Sequence, residues 1–247
     1  MLLALLILSC KTKKEETSNE VEKTETKTET KIENEWIYLF DGTTTDGWRA
    51  FNGDKLPEKW TIIDGMLTFD TEKKLESEYE GGGSNIIYAV EEFDNFELYL
   101  EWKLPEGGNS GVMYHLKEGI GSMAEIGPEY QLLDDLGWEK INNAKLEEWQ
   151  KTGADYAMYT PDNTKKVLNS AGEWNTTRII FTPENVEHWL NGQKLLSFVP
   201  WSDDWHERKA KSKWKDTPTY GKFKTGYIGL QDHDSPLWFR NIKIRKL

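Results

Sequence analysis

Two Asx-Gly dipeptides constrain this chain more than any other feature. Asp64-Gly65 separates Trp60-Thr61-Ile62-Ile63 from Met66-Leu67-Thr68-Phe69, and Asn191-Gly192 separates 186–190 from 194–198. A two-residue hairpin turn needs positive φ at both central positions, which Asn, Asp and Gly tolerate. Each dipeptide therefore predicts an antiparallel hairpin. Further extended runs lie at 85–90, 96–103, 111–116, 129–133, 177–181, 227–231 and 237–244. Helical signal is sparse; 144–150 and 202–213 predict short, polar, peripheral helices. Ten or so short strands with turn punctuation predict an all-β fold, a sandwich of two packed antiparallel sheets. No internal repeat is visible, which argues against a propeller.

The 247 residues include 12 Trp, 10 Tyr and 9 Phe, rings enough to build a core and to offer flat faces to a ligand. Asp and Glu number 43 against 31 Lys and Arg, a formal charge of −12 that disfavours nucleic acid as a partner. A single cysteine excludes an intramolecular disulfide.

That cysteine ends the N-terminal stretch MLLALLILSC. The apolar run is far shorter than the ~20 residues of a membrane-spanning helix and fits the hydrophobic region of an export signal. Ile7-Leu8-Ser9-Cys10 resembles the lipobox of bacterial lipoproteins, although no Lys or Arg precedes the run. The resemblance implies lipidation at Cys10 and anchoring to the bacterial outer membrane, on its periplasmic or its surface side. Residues 11–34 contain no aromatic and two large apolar side chains, so they are read as a disordered, charged tether. The folded domain is then 35–247.

Strand alternation assigns faces within two of the runs. Val112, Tyr114 and Leu116 share one side, with Met113 and His115 on the other; Glu129 and Gln131 point together, opposite Tyr130 and Leu132. If the two strands are neighbours, their polar sides line a groove. The alternative is a simply solvated face, which antiparallel sheets often have.

These residues carry a family resemblance. The matching stretches include Leu39-Phe40-Asp41-Gly42 with Gly47-Trp48, 108–115, 127–135, Thr152-Gly153-Ala154-Asp155-Tyr156, 171–175, 186–192 and 229–242, together spanning essentially all of 36–247 in order. The domain resembles the bacterial 3-keto-disaccharide hydrolase family, which implies a concanavalin A-like jelly-roll sandwich with short peripheral helices. Asp155 and Asp234 depart from the family pattern, in expected loops where they would alter substrate choice.

Glycosidases on this fold often carry a Glu-x-Asp-x-Glu strand, whereas the corresponding strand here reads Glu129-x-Gln131-x-Leu133. An amide cannot serve as nucleophile or base, so the two-carboxylate mechanism lacks support. A 3-keto sugar removes the need for it. The ketone acidifies the C2 proton; one base takes it, the C1–O bond breaks by β-elimination, and water adds to the enone. What the resemblance implies is thus net hydrolysis of 3-keto-glycosides, on a substrate supplied by a separate sugar 3-dehydrogenase. No dinucleotide-binding glycine fingerprint is present in this chain.

Within that scheme Glu129, His115 and His233 are the catalytic candidates, and Gln131, Asp134, Tyr156 and Arg240 the substrate-binding ones. The sequence establishes no cofactor. A divalent metal is compatible with the inventory, with Glu129, Asp134 and His115 as candidate ligands, but the spacing is not a compact metal motif. His188 is read as structural. Two other classes compete: a carbohydrate-binding module using Trp138, Trp149, Trp201, Trp205 and Trp214 as stacking platforms, and a conventional glycosidase.

Overall fold

The computed structural model describes residues 35–73 and 84–247. The signal with Cys10 and the tether over 11–34 lie outside the described residues. In chain order the strands are β1 (Ile37–Phe40), β2 (Trp48–Ala50), β3 (Trp60–Ile63), β4 (Met66–Phe69), β5 (Ile86–Phe93), β6 (Phe96–Lys103), β7 (Asn109–Leu116) and β8 (Glu129–Leu133). Helix α1 (Asp135–Asn142) follows, then β9 (Asn175–Phe181), β10 (Val186–Leu190), β11 (Gln193–Phe198), α2 (Asp203–Lys211), β12 (Gly226–Leu230) and β13 (Leu237–Lys246).

The strands form two antiparallel sheets. The larger runs β11-β10-β9-β6-β13-β4-β3, with β1 also on β13; the smaller runs β2-β5-β12-β7-β8. Both expected hairpins are present, and their turn residues have the required positive φ: Asp64 50°, Gly65 73°, Asn191 46° and Gly192 80°. The core fills the space between the sheets, with Leu67, Phe69, Phe96, Trp102 and Phe239 meeting Ile86, Val112, Tyr130 and Leu132. Buried indoles need a partner for their N–H. Trp48 donates to the Leu39 carbonyl at 2.7 Å, Trp60 to that of Ser84 at 2.6 Å, and Trp102 to the Thr177 hydroxyl at 2.9 Å.

The helices depart partly from expectation. The predicted 202–213 helix is α2, but 144–150 holds only a 3-10 turn at Glu148–Gln150. The unexpected helix is α1, just upstream. Its sequence carries an internal Gly137, and its apolar Leu136 and Ile141 are exposed, so it lacks the buried stripe that marks a helix in sequence.

Two features of the smaller sheet shape its outer face. First, alternation fails in β7. His115 has φ 55°, and Tyr227 and Gly229 of β12 pair with Leu116 and Met113, so the one residue between them, Ile228, opposes two on β7, Tyr114 and His115. This is a β-bulge. It turns His115 inward and Leu116 outward, beside Met113, in a second apolar cluster with Ile87, Met123 and Ile126. Second, β8 is not bare at its edge. Gln131 N–H donates to the Ala154 carbonyl at 3.2 Å and Tyr156 N–H to the Glu129 carbonyl at 3.0 Å, with Asp155 bridged to Tyr130. The segment 153–156 thus extends the sheet, with Tyr156 opposite Glu129 and Asp155 opposite Tyr130.

Candidate active site

Glu129 lies on the outer face of the smaller sheet, at the boundary between the apolar cluster and open surface. Its diagonal neighbour on β7, two residues from its partner Met113, is glycine for a reason: a β-carbon on Gly111 would sit 2.1 Å from the Glu129 Oε1. The carboxylate therefore folds over the Gly111 backbone. It is 5% exposed and, among the described residues, has no hydrogen-bond or ion-pair partner. Burial pushes its pKa up to about 8, against the attraction of Lys213, which lowers it. A carboxyl titrating near neutrality can both take and return a proton.

Around it stand three side chains from three segments. Gln131, two residues along β8, shares the face, is buried, and makes no side-chain hydrogen bond among the described residues, so its amide is open to ligand hydroxyls. Tyr156, on the added edge segment, packs edge-on against Trp149 at 5.3 Å. Burial and the Glu129 charge raise its pKa, so the phenol keeps its proton. Lys213 arrives from the connector after α2, its Nζ 4.6 Å from the Tyr156 ring centroid and 4.4 Å from that of Trp214. A surface cleft of about 380 Å³, lined by Trp149, Met158, Arg208 and Lys213, opens beside them.

The fold thus brings Glu129, Gln131 and Tyr156 together. His233 is exposed on the β12–β13 loop, two residues after Gln231, whose N–H donates to the Gly111 carbonyl at 2.9 Å. Three other candidates lie elsewhere. His115, turned inward by the bulge, packs 4.3 Å from the Phe181 ring and pairs through Nε2 with the Asp94 carbonyl at 2.9 Å. Desolvation lowers its pKa to about 4, so it is a neutral core residue. Arg240 lies on the outer side of the larger sheet, its Nε donating to Glu101 at 2.6 Å and its guanidinium 4.0 Å from the Trp174 centroid. Asp134 precedes α1, accepts the Gly107 N–H at 2.9 Å, and lines a separate cleft with Leu136 and Lys140.

Among the described residues no three His, Cys, Asp or Glu side chains gather as metal ligands, and the trio Glu129, Asp134 and His115 is dispersed. The expected stacking platforms also divide: Trp205 and Trp214 are buried, while Trp138, Trp149 and Trp201 are half-buried. His188 is buried as expected, its Nδ1 3.1 Å from the Gly153 carbonyl.

Asp155 is not a loop residue facing substrate. It is fully buried on the inner side, and among the described residues neither carboxylate oxygen has a hydrogen-bond partner. The Tyr114 and Tyr220 hydroxyls, which feel its charge, are equally unpartnered. Desolvation first, then the Glu129 charge, raises the Asp155 pKa far above the usual carboxylate range. Lys213 is the residue that sequence reasoning missed. It sits in a run of basic residues with no local pattern, and only the fold carries it to Glu129.

Comparison with known proteins gives four likenesses. The family described as 3-keto-alpha-glucoside-1,2-lyase-like domain matches residues 35–245. A 3-keto-disaccharide hydrolase of Bacteroides thetaiotaomicron is 33% identical over 234 residues, covering 86% of this chain and 78% of that one. A crystal structure from Parabacteroides distasonis, named as a candidate glycosyl hydrolase, is 38% identical with a TM-score of 0.76, covering 86% of this chain and 94% of that one. A galectin-like protein of Bacillus subtilis, at 15% identity and a TM-score of 0.51, shares the fold alone, covering 87% of this chain and 97% of that one.

Proposed function

The chain belongs to the 3-keto-alpha-glucoside-1,2-lyase-like family and is an enzyme, and on that premise we propose that it cleaves 3-keto-glycosides with Glu129 as the proton-transferring group. The observation that carries this reading is the state of Glu129: a buried, unpartnered carboxyl on the sheet's outer face, with its pKa pushed up to about 8.

The ionised carboxylate takes the C2 proton of the keto sugar. The electron pair moves into a C2–C3 double bond and the C3 oxygen becomes an enolate. As the ketone re-forms, the C1–O bond breaks, and the protonated Glu129 delivers its proton to the departing oxygen. Water then adds to C1 and a proton to C2, with Glu129 relaying between them, so the sum is hydrolysis. General acid–base help of this kind is worth about 10²–10⁴ in rate. The Gln131 amide binds sugar hydroxyls, and the Tyr156 ring walls the site. One carboxylate suffices because the substrate arrives oxidised, which calls for a sugar 3-dehydrogenase to supply it. We place the enzyme outside the cytoplasm, held by lipid on Cys10.

The test offers purified protein a plain glucoside and its 3-keto counterpart in deuterated water. Cleavage of the keto form alone, with deuterium entering at C2 and lost in Glu129→Gln, is the expected result. Equal turnover of both sugars, or an active Glu129→Gln variant, removes the reading.

A further inference from the structure

The stretch 208–215, from the last turn of α2 into the connector behind it, is strongly basic, and every cation in it but one is engaged by a carboxylate or a carbonyl. Arg208 pairs with Asp204 at 2.9 Å, Lys211 with Glu207, and Lys215 reaches Asp216 at 4.0 Å. Lys209 donates to the Tyr220 carbonyl at 2.7 Å. Lys213 is different: among the described residues its ammonium has no carboxylate or carbonyl partner, only the two rings beneath it.

Its placement is nonetheless fixed. The next residue, Trp214, is 4% exposed, stacks on Tyr220 with centroids 4.4 Å apart, and donates its indole N–H to the Tyr156 carbonyl at 3.1 Å. The Ser212 hydroxyl accepts the Trp214 N–H at 3.0 Å and donates to the Lys209 carbonyl at 3.0 Å. The backbone around Lys213 is thereby tied on one side to the last turn of α2 and on the other, through Trp214, to the edge segment that also presents Tyr156. Tyr156 stands opposite Glu129, so the ammonium is held over the ring beside the reacting carboxyl. Lys213 as a whole is exposed, so its three N–H donors are open to a ligand.

We propose that Lys213 is a catalytic residue whose ammonium holds the C3 oxygen of the keto sugar while Glu129 takes the C2 proton. The assignment rests on the reading of Glu129 given above. It supplies what that reading lacks, a fixed positive charge where the enolate forms. The C2–H bond breaks toward Glu129, the electron pair ends on the C3 oxygen, and the ammonium hydrogen-bonds that oxygen without transferring its proton. When the ketone re-forms and the C1–O bond breaks, Lys213 is unchanged and no other reactant is needed. The partial loss of water around the ammonium, which lowers its pKa, strengthens its pull on the enolate.

The test compares Lys213→Met, Lys213→Arg and Glu129→Gln with the unaltered protein, on a chromogenic 3-keto-glucoside. Lys213→Met keeps the stem and loses the charge; kcat should fall about 10²- to 10³-fold, the usual cost of losing one oxyanion donor. KM should stay within about threefold, because charge on the C3 oxygen develops only after binding. Lys213→Arg should recover at least about tenfold, since the charge returns with altered geometry. Deuterium exchange at C2 should slow in parallel. A Lys213→Met variant with unchanged kcat beside an inactive Glu129→Gln overturns the role of Lys213 and leaves Glu129 standing. An unaltered protein that binds the keto sugar and neither exchanges nor cleaves it overturns both.

Discussion

The Glu129 carboxylate occupies the place of a side chain that Gly111 does not have: a β-carbon there would lie 2.1 Å from Oε1 and 2.9 Å from Cγ. Gly111→Ala should therefore displace the carboxyl rather than unfold the sheet. Because misplacing a reacting group by about 1 Å can cost about 10²-fold, kcat/KM on a 3-keto-glucoside should drop by at least that. Circular dichroism should stay unchanged. Full activity in this variant would mean that the carboxyl does not need its present position.

Glu129 should also be visible in the pH dependence of stability. Its folded pKa is about 8 against an ordinary 4.5, so between those values the folded state binds the extra proton. Stability from this group is fully present below pH 4.5 and is lost as pH rises to about 8. Glu129→Gln should be more stable than the unaltered protein, by a margin growing up to about 1.4 kcal/mol per pH unit across the window. Activity should run the other way, rising toward pH 8 as the base form appears. Urea unfolding at several pH values checks the first, and a rate profile the second; a margin independent of pH would mean that the carboxyl is not desolvated.

Asp155→Asn should stabilise the protein for a related reason. The native carboxyl is buried without a partner among the described residues, and burial raises its pKa far above the ordinary 3.8. Asn mimics the neutral acid, so the gain should be absent in strong acid and grow as pH rises above about 4. The residue faces inward, so KM for the keto sugar should stay within about twofold, well inside the spread expected when no direct contact is lost. A large change in KM with no change in melting temperature would return Asp155 to the substrate side.

His188 carries a pKa lowered to about 4 by desolvation, although its Nδ1 contact to Gly153 opposes this. Unfolding releases the ring to an ordinary 6.5, so its contribution is lost as pH falls from 6.5 to about 4. In His188→Gln the acid limb of stability should flatten over that window. An unchanged limb would show that the ring already carries charge when folded.

Arg240→Ala should leave turnover alone. The side chain bonds Glu101 and covers Trp174 on the far side of the sandwich, and a partly exposed ion pair of this kind contributes about 0.2–1 kcal/mol. A small drop in melting temperature at constant kcat/KM is expected; a tenfold loss of kcat would place Arg240 in the reaction after all.

Some of this was legible in the chain and some was not, for physical reasons. Hairpin turns declare themselves because positive φ admits few residues, and both Asx-Gly pairs did so. Strand β8 runs over the expected 129–133, and with it came the correct common side for Glu129 and Gln131. Alternation misplaced His115 because a bulge is set by pairing with a distant strand, here β12, and leaves no period of its own. Lys213 was invisible because nothing in a basic run marks one lysine as unpaired. Asp155 read as a loop residue because the edge segment that buries it is built from irregular backbone.

The anchoring of Trp214 to the Tyr156 carbonyl divides responsibility within this enzyme. A strand of the rigid sandwich carries the acid, while a connector outside both sheets carries the charge opposite it. Connectors tolerate insertion and exchange far better than strands do. Relatives can therefore vary which sugars they accept, and how fast, by remodelling one segment around a single indole, leaving the hydrogen-bonded scaffold beneath the carboxyl untouched.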